Sequence, residues 1–269
     1  LKRRTRGATL FRDLLRGFPK ILLQDEGSQA RFVSLGVPAN QLEIVGSIKA
    51  AAEPLPDLPE ISSAFAAAIG DRPRWVAAST HAQEVDTIVQ AHLLAKKSLP
   101  DLLTIVAPRK PDVFAAQAEA AKSAGLKVVM RSEMPASLTG ADMLIVDAIG
   151  EMGVWFRASD LVFMGFSMPS HGPRLTGKNP FEALVLGAAV LHGPDTTNFA
   201  ENYASLDAAG ATRMVDNVED LATVIVERDG LDDLKASAAQ WLIAAQKPLE
   251  RTAEVILEAL DDKTDQRGG

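Results

Sequence analysis

Short apolar runs alternate with longer helical patterns along the chain from residue 74 onward. The apolar runs, which we interpret as strands, cover residues 75–78, 102–107, 127–131, 143–146, 161–164, 189–192 and 212–215. The helical patterns between them cover residues 84–98, 113–124, 150–158, 180–187, 198–209 and 218–228. Short strands separated by longer helices predict a parallel sheet with helices on both faces. The predicted fold class is therefore a doubly wound α/β domain, which binds its ligands at the carboxyl ends of the strands.

The segments outside this alternation predict the domain organisation. Residues 1–52 hold a basic helix and then a strand, a helix and a strand. Because this is too little for a domain, we interpret it as the remnant of a truncated N-terminal Rossmann-like domain. A proline-rich stretch over residues 53–60 predicts an extended linker to the α/β domain, residues 61–230. Residues 231–269 predict C-terminal helices followed by a polar tail that frays.

Composition restricts the class of protein further. The 269 residues are 47% hydrophobic and 23% charged, which is typical of a soluble globular protein. The absence of cysteine excludes disulfides, zinc–thiolate sites and cysteine nucleophiles. No apolar run approaches the roughly 20 residues of a membrane span, and no signal peptide is visible.

Charge is distributed unevenly along the chain. Residues 1–20 carry seven basic side chains and one acidic one, a net +6, and the whole chain carries −7, so residues 21–269 carry −13. Leu10, Phe11, Leu14, Leu15 and Phe18 recur at helical spacing among these cations. Such a segment is able to lie on an anionic membrane surface, or to pack its apolar face on a domain, and both interpretations stay open. The acidic remainder argues against a nucleic acid partner.

Polar residues follow the first two predicted strands. After the first strand come Ser79, Thr80 and His81, and the pairing of Thr80 with Gln83 predicts a capping box that leaves His81 facing the ligand crevice. After the second strand come Arg109 and Lys110, between two prolines. Two adjacent cations in a stiff turn favour anion binding, with a solvated turn as the alternative.

Further candidate residues follow the fourth, fifth and sixth strands. Gly150 permits close approach of the backbone to a ligand, and Glu151 lies in the first turn of a predicted helix. Ser167 lies in a long loop that begins at Gly165, and loops of more than about 12 residues without secondary structure are usually functional or mobile. Asn198 follows the sixth strand, where it either caps a helix or binds a ligand.

The motif GKNPFEA, residues 177–183, predicts a helix start at the end of that long loop. Asn179 suits the N-cap, Pro180 the first helical position, and Glu182 the position that reaches back to the cap. Local structure gives no reason for Lys178.

These strand ends together predict a nucleotide site. The cations Arg109, Lys110 and Lys178, with two helix N-termini, suit phosphate groups, and the carboxylate of Glu182 suits ribose hydroxyls. The chain lacks a P-loop and a G-x-G-x-x-G motif, which argues against an ATPase or a dehydrogenase. Its sequence shows no ligand spacing for a metal, so neither a metal nor another cofactor is predicted.

Five segments in order resemble the 3-deoxy-D-manno-octulosonic acid (Kdo) transferases of Gram-negative lipopolysaccharide biosynthesis. They are LQDEGSQARFVSLGVPANQLEIVGSIK at 23–49, VAASTHAQE at 76–84, APRKPD at 107–112, VDAIGEMGVWFRASDLVFMGFS at 146–167 and GKNPFEALVLGAAVLHGPDTTNF at 177–199. The resemblance implies a two-domain glycosyltransferase B fold, of which this chain is the C-terminal, donor-binding half. It implies a CMP-Kdo donor, a lipid A precursor as acceptor, and action at the cytoplasmic face of the inner membrane.

The resemblance also implies roles for individual residues. Arg109 would face the donor phosphate or carboxylate, Ile149 and Gly150 would meet the base through their backbone, and Asn179 with Glu182 would hold the ribose. The general base is expected in the missing N-terminal acceptor domain, of which residues 1–52 are the remnant. No residue of this chain is a convincing base, although His81 and Glu151 are candidates, so the chain alone is expected to be inactive as a transferase.

The chain departs from the family pattern at several positions that face the donor. Lys110 and Lys178 stand where the family has histidines, and Phe166 stands at the second glycine of Gly-Gly-Ser. Replacing histidine by lysine changes both hydrogen bonding and charge. A related glycosyltransferase with a different nucleotide-sugar donor, or a degenerate nucleotide-binding module, therefore remains an alternative.

Overall fold

The computed structural model describes residues 13–46, 53–169 and 176–265, with the side chains of 261–265 left out. The strands are β1 (Ile21–Leu23), β2 (Leu42–Ile44), β3 (Arg74–Thr80), β4 (Leu103–Pro108), β5 (Val128–Met130), β6 (Met143–Ile145), β7 (Leu161–Met164), β8 (Ala189–His192) and β9 (Thr212–Met214). The helices are α1 (Glu26–Ser34), α2 (Pro59–Ile69), α3 (Val85–Lys96), α4 (Phe114–Ser123), α5 (Met152–Ala158), α6 (Phe181–Leu184), α7 (Ala200–Ala208), α8 (Val218–Glu227) and α9 (Leu231–Asp265). The chain divides into two compact units, residues 52–241 and residues 1–51 with 242–269.

The larger unit contains a parallel sheet of seven strands in the order β5-β6-β4-β3-β7-β8-β9. All seven predicted strands are present, and the predicted fold class is confirmed. Strands β4 and β6–β8 are almost wholly buried, as expected for a parallel sheet covered on both faces. From β3 the chain first adds strands on one side and later adds β7 on the other. The direction of winding therefore changes between β3 and β7, where sheets of this kind bind ligands.

Local predictions around β3 were partly wrong. The predicted capping box of Thr80 with Gln83 does not form, because Thr80 is the last residue of the strand and its side chain is buried. His81 is the N-cap residue of the turn Ala82–Glu84, and the Glu84 carboxylate accepts a hydrogen bond from the His81 N–H at 3.2 Å. A register shift between Ala78 and Thr80 moves the end of β3 by one residue. The capping-box rule considers only residues three positions apart and does not anticipate such a shift.

Three helix boundaries also differ from the prediction. Helix α2 begins at Pro59, inside the predicted linker, and the sequence pattern gave no helix there. Helix α6 covers only Phe181–Leu184, against a prediction of residues 180–187. The C-terminal region is one helix, α9, that continues through Pro248 to Asp265 rather than several helices with a tail frayed from residue 261.

The smaller unit has a two-stranded parallel sheet, β1 with β2, connected by α1. Its core is a cluster of Leu15, Leu23, Val37 and Leu42. Within this unit, Glu43 on β2 accepts a hydrogen bond from Arg251 on α9 at 2.7 Å and pairs with Lys20 at 3.1 Å. Most of the predicted basic helix (1–12) and the middle of the predicted long loop (170–175) lie outside the described residues. Within the described part of the chain, no helix combines the length and the apolar character that crossing a membrane requires.

Candidate functional site

The carboxyl ends of β3 and β7 approach each other closely at the change of winding direction. A Cβ on Gly165, the residue after β7, would lie 3.0 Å from the Ala78 carbonyl oxygen and 3.0 Å from Glu84 Oε2. Contacts this short mean that a side chain at position 165 would have to push the neighbouring backbone and Glu84 aside, so glycine suits the close approach of the two strand ends. The residues that follow each strand are thereby brought into one crevice.

Glu84 joins the two sides of this crevice from within. Its fully buried carboxylate accepts hydrogen bonds from the backbone N–H groups of Phe166 (2.6 Å), Ser167 (3.0 Å) and Met168 (3.3 Å), and from that of His81. Burial raises the pKa of Glu84, and these four donors act in the opposite direction. The N–H groups of Phe166, Ser167 and Met168 are therefore occupied by a carboxylate of the protein and are not available to an anionic ligand.

An aromatic ring lies between two of the predicted site residues. The Phe166 ring centroid is 3.9 Å from that of His81, with the rings tilted by 32°. The Nζ atom of Lys178 is 4.2 Å from the Phe166 centroid, within the range of a cation–π contact. The hydroxyl of Tyr203, a buried residue of α7, donates to the Lys178 carbonyl oxygen at 2.9 Å and fixes the backbone there.

The predicted cations form one electrostatic cluster. Burial, followed by the charges of Lys178, Lys110 and Arg109, lowers the pKa of His81 to about 4, so His81 is neutral at pH 7. Burial is also the main cause that lowers the pKa of Lys178, followed by the charge of Arg109. Within the described part of the chain, no carboxylate forms an ion pair with any of these three cations. Unpaired positive charge beside a neutral imidazole favours an anion such as a phosphate.

Two predicted contact residues have side chains that are directed into the protein. The Thr80 hydroxyl accepts a hydrogen bond from the Gln117 amide nitrogen at 3.0 Å. The Ser167 hydroxyl donates to the Met164 carbonyl oxygen at 2.6 Å and accepts from the Gly193 N–H at 2.8 Å. Both side chains are fully buried. Their hydroxyls are therefore engaged within the protein, and donor binding by Thr80 and Ser167 stays a prediction.

The GKNPFEA motif forms a helix start, one residue later than predicted, because Pro180 rather than Asn179 is the N-cap residue of α6. The Asn179 side chain accepts a hydrogen bond from the N–H of Phe181, the first residue of α6, at 3.1 Å. The half-buried Glu182 makes no reach-back hydrogen bond to the cap among the described contacts. Its carboxylate therefore stays available for another partner. Asn198 is held by the preceding loop, because its side-chain nitrogen donates to the Thr176 hydroxyl at 2.8 Å.

The loop after β6 presents backbone and an apolar side chain to solvent. Ile149 is 82% exposed, and Gly150 has a φ of +89° with open space around its Cα. Glu151 forms a two-point ion pair with Arg131, with distances of 3.0 and 3.1 Å. This pairing argues against the prediction that Glu151 acts as a base, since a base needs a free lone pair aimed at substrate. Ser79 is half-buried at the end of β3, with a φ of +55°.

Sequence reasoning did not assign a role to Glu84, Phe166 or Arg131. Glu84 was read as part of a helix start, and only its complete burial reveals that it binds the opposite loop. Arg131 follows β5 and Glu151 follows β6, and these strands are neighbours in the sheet. Their opposite charges were a sequence signal from which the ion pair could have been predicted. The described residues contain no group of three or more acidic or histidine side chains able to hold a metal ion.

The fold is that of the glycosyltransferases of the B type, which have a parallel sheet and a ligand site at the change of winding direction. The chain superimposes on the C-terminal CMP-Kdo binding domain of WaaA from Acinetobacter baumannii with a TM-score of 0.61 and 23% identity, over 68% of this chain and 98% of that domain. Anabaena HepE, in complex with UDP and glucose, gives a TM-score of 0.50 at 15% identity, over 95% of this chain and 66% of HepE.

Sequence comparison finds similarity to one named family of glycosyltransferases. The chain is 31% identical to the 3-deoxy-D-manno-octulosonic acid transferase of Haemophilus influenzae over 241 residues, which are 89% of this chain and 52% of that protein. It is 31% identical to the transferase of the same name from Bordetella pertussis, over 93% of this chain and 58% of that protein. The predicted resemblance is confirmed: the chain is a relative of the Kdo transferases. It spans about half the length of the curated relatives it matches. No protein-family model matches the sequence.

Proposed function

We propose that this chain is the donor-binding half of a glycosyltransferase that transfers Kdo from CMP-Kdo to a lipid A precursor. The observation that carries the proposal is the cluster of Arg109, Lys110 and Lys178 at the crevice between β3 and β7, without a carboxylate partner among the described residues. Such a cluster stabilises the nucleotide phosphate as it departs with negative charge. Similarity to a CMP-Kdo binding domain and to Kdo transferases supports this choice of donor.

Each part of the donor has a candidate partner in the proposed site. The three cations bind the phosphate and the sugar carboxylate, and Glu182 with Asn179 holds the ribose at the start of α6. Ile149 and Gly150 contact the base through their backbone, where the loop is open and the φ of Gly150 is positive. Neutral His81 contributes a hydrogen bond rather than a charge, because its Nε2 is buried without a partner.

In this proposal the donor and the acceptor bind to different domains, and the acceptor binds to another part of a longer protein. Residues 61–230 bind the donor, and residues 1–52 are the remnant of a domain that holds the lipid A precursor and the general base. Membrane association at the cytoplasmic face of the inner membrane involves that domain and residues 1–20. We expect residues 1–269 alone to show no transferase turnover, and turnover by this chain in a CMP-Kdo assay would contradict that division.

Calorimetric titration of the chain with CMP, UDP and GMP tests the donor. We expect CMP to bind most tightly and Glu182→Ala to weaken its binding, because the substitution removes the carboxylate proposed for the ribose hydroxyls. Glu227→Ala is the control, since Glu227 is an exposed residue at the C-terminal end of α8 and should leave CMP affinity unchanged.

A second candidate function is transfer from a different nucleotide-sugar. The specific observation in its favour is that Phe166 and Lys178, two departures from the family pattern, contact each other inside the crevice. Preference for UDP or GMP in the same titration would favour this second candidate over CMP-Kdo. Absence of binding by any of the three nucleotides would contradict both and leave a degenerate module.

A further inference from the structure

The backbone of Phe166 adopts a conformation that large side chains avoid. Its φ is +61°, in the left-handed region that glycine adopts without steric cost. Three non-glycine residues of the described chain have a positive φ: Ser79, Phe166 and Arg228. Ser79 lies near the end of β3 and Phe166 lies just after β7, and these are the two strands that form the crevice. Backbone strain of this kind persists only where the surrounding structure enforces it, and it concentrates at functional sites.

The structure enforces this conformation through Glu84. The N–H groups of Phe166 and of the two residues after it all point toward the Glu84 carboxylate. A glycine at position 166 would make the same three hydrogen bonds without strain, because they involve only backbone atoms. The hydrogen bonds therefore account for the loop conformation, and the aromatic side chain needs a separate explanation.

The contacts of the ring supply that explanation. One neighbour is the His81 imidazole, at a centroid distance of 3.9 Å, and another is the Lys178 ammonium, at 4.2 Å. Lys178 is partly buried, so its charge has lost part of its hydration; the charges of Arg109 and Lys110 repel it, and that of Glu84 partly offsets this repulsion. Attraction to the ring face offsets both penalties and keeps the ammonium group in the cluster when no ligand is bound.

We propose that Phe166 is a positioning residue for phosphate binding: its ring holds the Lys178 ammonium beside Arg109 and Lys110, so that the cluster is assembled before the nucleotide arrives. The proposal rests on the proposed function, since the phosphate is that of a nucleotide donor. Preorganisation of this kind improves affinity because the ligand does not have to gather the cations.

Substitutions at position 166 separate the ring from the backbone strain. Phe166→Gly removes both, Phe166→Ala removes the ring and retains the strain, and Phe166→Tyr retains the ring. We expect Gly and Ala to weaken CMP binding equally, by about 5- to 30-fold, and Tyr to bind within about twofold of the original chain. We expect the Gly variant to melt at least about 2 °C above the Ala variant. Calorimetry and thermal unfolding measure these two quantities.

A double-substitution cycle tests whether the ring acts through Lys178. Lys178→Met removes the cation, and in that background Phe166→Leu should cause no further loss of CMP affinity, whereas Phe166→Leu alone should cause a loss. Cytidine, which lacks the phosphate, should bind all variants with similar affinity. Arg228→Gly is the control for strain, because Arg228 is also left-handed but pairs with Asp160 at the opposite edge of the sheet. It should leave CMP affinity unchanged.

The outcomes separate this inference from the proposed function. If the original chain binds none of CMP, UDP and GMP, both are overturned. If it binds CMP and the Gly and Ala variants bind equally well, only the role of Phe166 is overturned. If the Gly variant melts no higher than the Ala variant, the claim of backbone strain is overturned. If Phe166→Leu weakens CMP binding as much in the Lys178→Met background as in the original chain, the claim that the ring acts through Lys178 is overturned.

Discussion

The two edges of the seven-stranded sheet differ in how their charged groups are partnered. At the edge where the strands begin, Arg72 donates to the backbone carbonyls of Asp101, Leu138 and Ala141, which lie before or between neighbouring strands. Other cations at this edge also have protein partners. Arg74 donates to the Ala158 carbonyl oxygen, Arg228 pairs with Asp160 at 2.7 Å, and Lys96 pairs with Asp142.

The edge where the strands end differs at its centre, although Arg131 at its periphery pairs with Glu151. Arg109, Lys110 and Lys178 lie together, and the one buried carboxylate near them, Glu84, is occupied by four backbone N–H groups. We propose that paired charge at the first edge stabilises the fold, whereas the cluster of Arg109, Lys110 and Lys178 at the second binds a ligand. Substitutions at the two edges should therefore have opposite signatures.

The largest expected effect is on the buried carboxylate that supports the binding edge. Glu84→Gln directs an amide NH₂ toward backbone N–H groups that need an acceptor, and we expect the free energy of unfolding to fall by about 3 kcal/mol. CMP binding should be lost as well, because the loop that carries Phe166 is released. Urea unfolding and calorimetry measure the two effects, with the exposed Glu119→Gln on α4 as the control. Retained stability would mean that the four hydrogen bonds contribute little.

The next effect should appear at the opposite edge and should spare binding. Asp142 accepts from the Lys127 N–H at 2.9 Å and pairs with Lys96, so Asp142→Ala leaves a partly buried ammonium group and an N–H without an acceptor. We expect a loss of about 2 kcal/mol in the free energy of unfolding, with CMP affinity unchanged in the folded variant. A large loss of CMP affinity at a temperature where the variant is folded would break the division between the edges.

A cation at the binding edge should give the reverse signature. We expect Arg109→Gln to weaken CMP binding about tenfold, because it removes a charged donor to the phosphate. Stability should be unchanged or slightly higher, since the substitution relieves repulsion of Lys178 and Lys110. Arg109→Lys should retain part of the affinity. A fall in thermal midpoint comparable to that of Asp142→Ala would show that Arg109 has a structural role.

The smallest expected effect is a dependence of stability on pH that both edges share. Burial is the first cause that lowers the pKa of His81, and also of His92, to about 4, which is below the value of about 6.5 in an unfolded chain. Between these values the unfolded chain binds protons that the folded chain does not, so stability falls as pH falls through this window. We expect His92→Gln to reduce that fall by an amount on the order of 1 kcal/mol. Urea midpoints at pH 7, 5.5 and 4 test it, and an unchanged slope would contradict the assignment.

Much of the fold was predictable because its signals are local. Each strand of the large sheet is a short apolar run, and β7 and β8 have the predicted bounds. The grouping of the proposed site residues was predictable for the same reason, since polar residues after parallel strands share one edge of the sheet. Arg109, Lys110, His81 and Lys178 were identified in this way, and the structure brings them together.

The sequence by itself determined the alternation of strands and helices, the polar character of the strand ends and the relationship to one family. Tertiary structure decided which of those polar groups are open to a ligand. Thr80 and Ser167 turn inward, and Glu84 binds the backbone of Phe166 across 82 positions of the chain. The physical reason is range: hydrophobic periodicity and capping act within a few residues, whereas burial, hydrogen-bond partners and the clustering of charge depend on which distant segments meet.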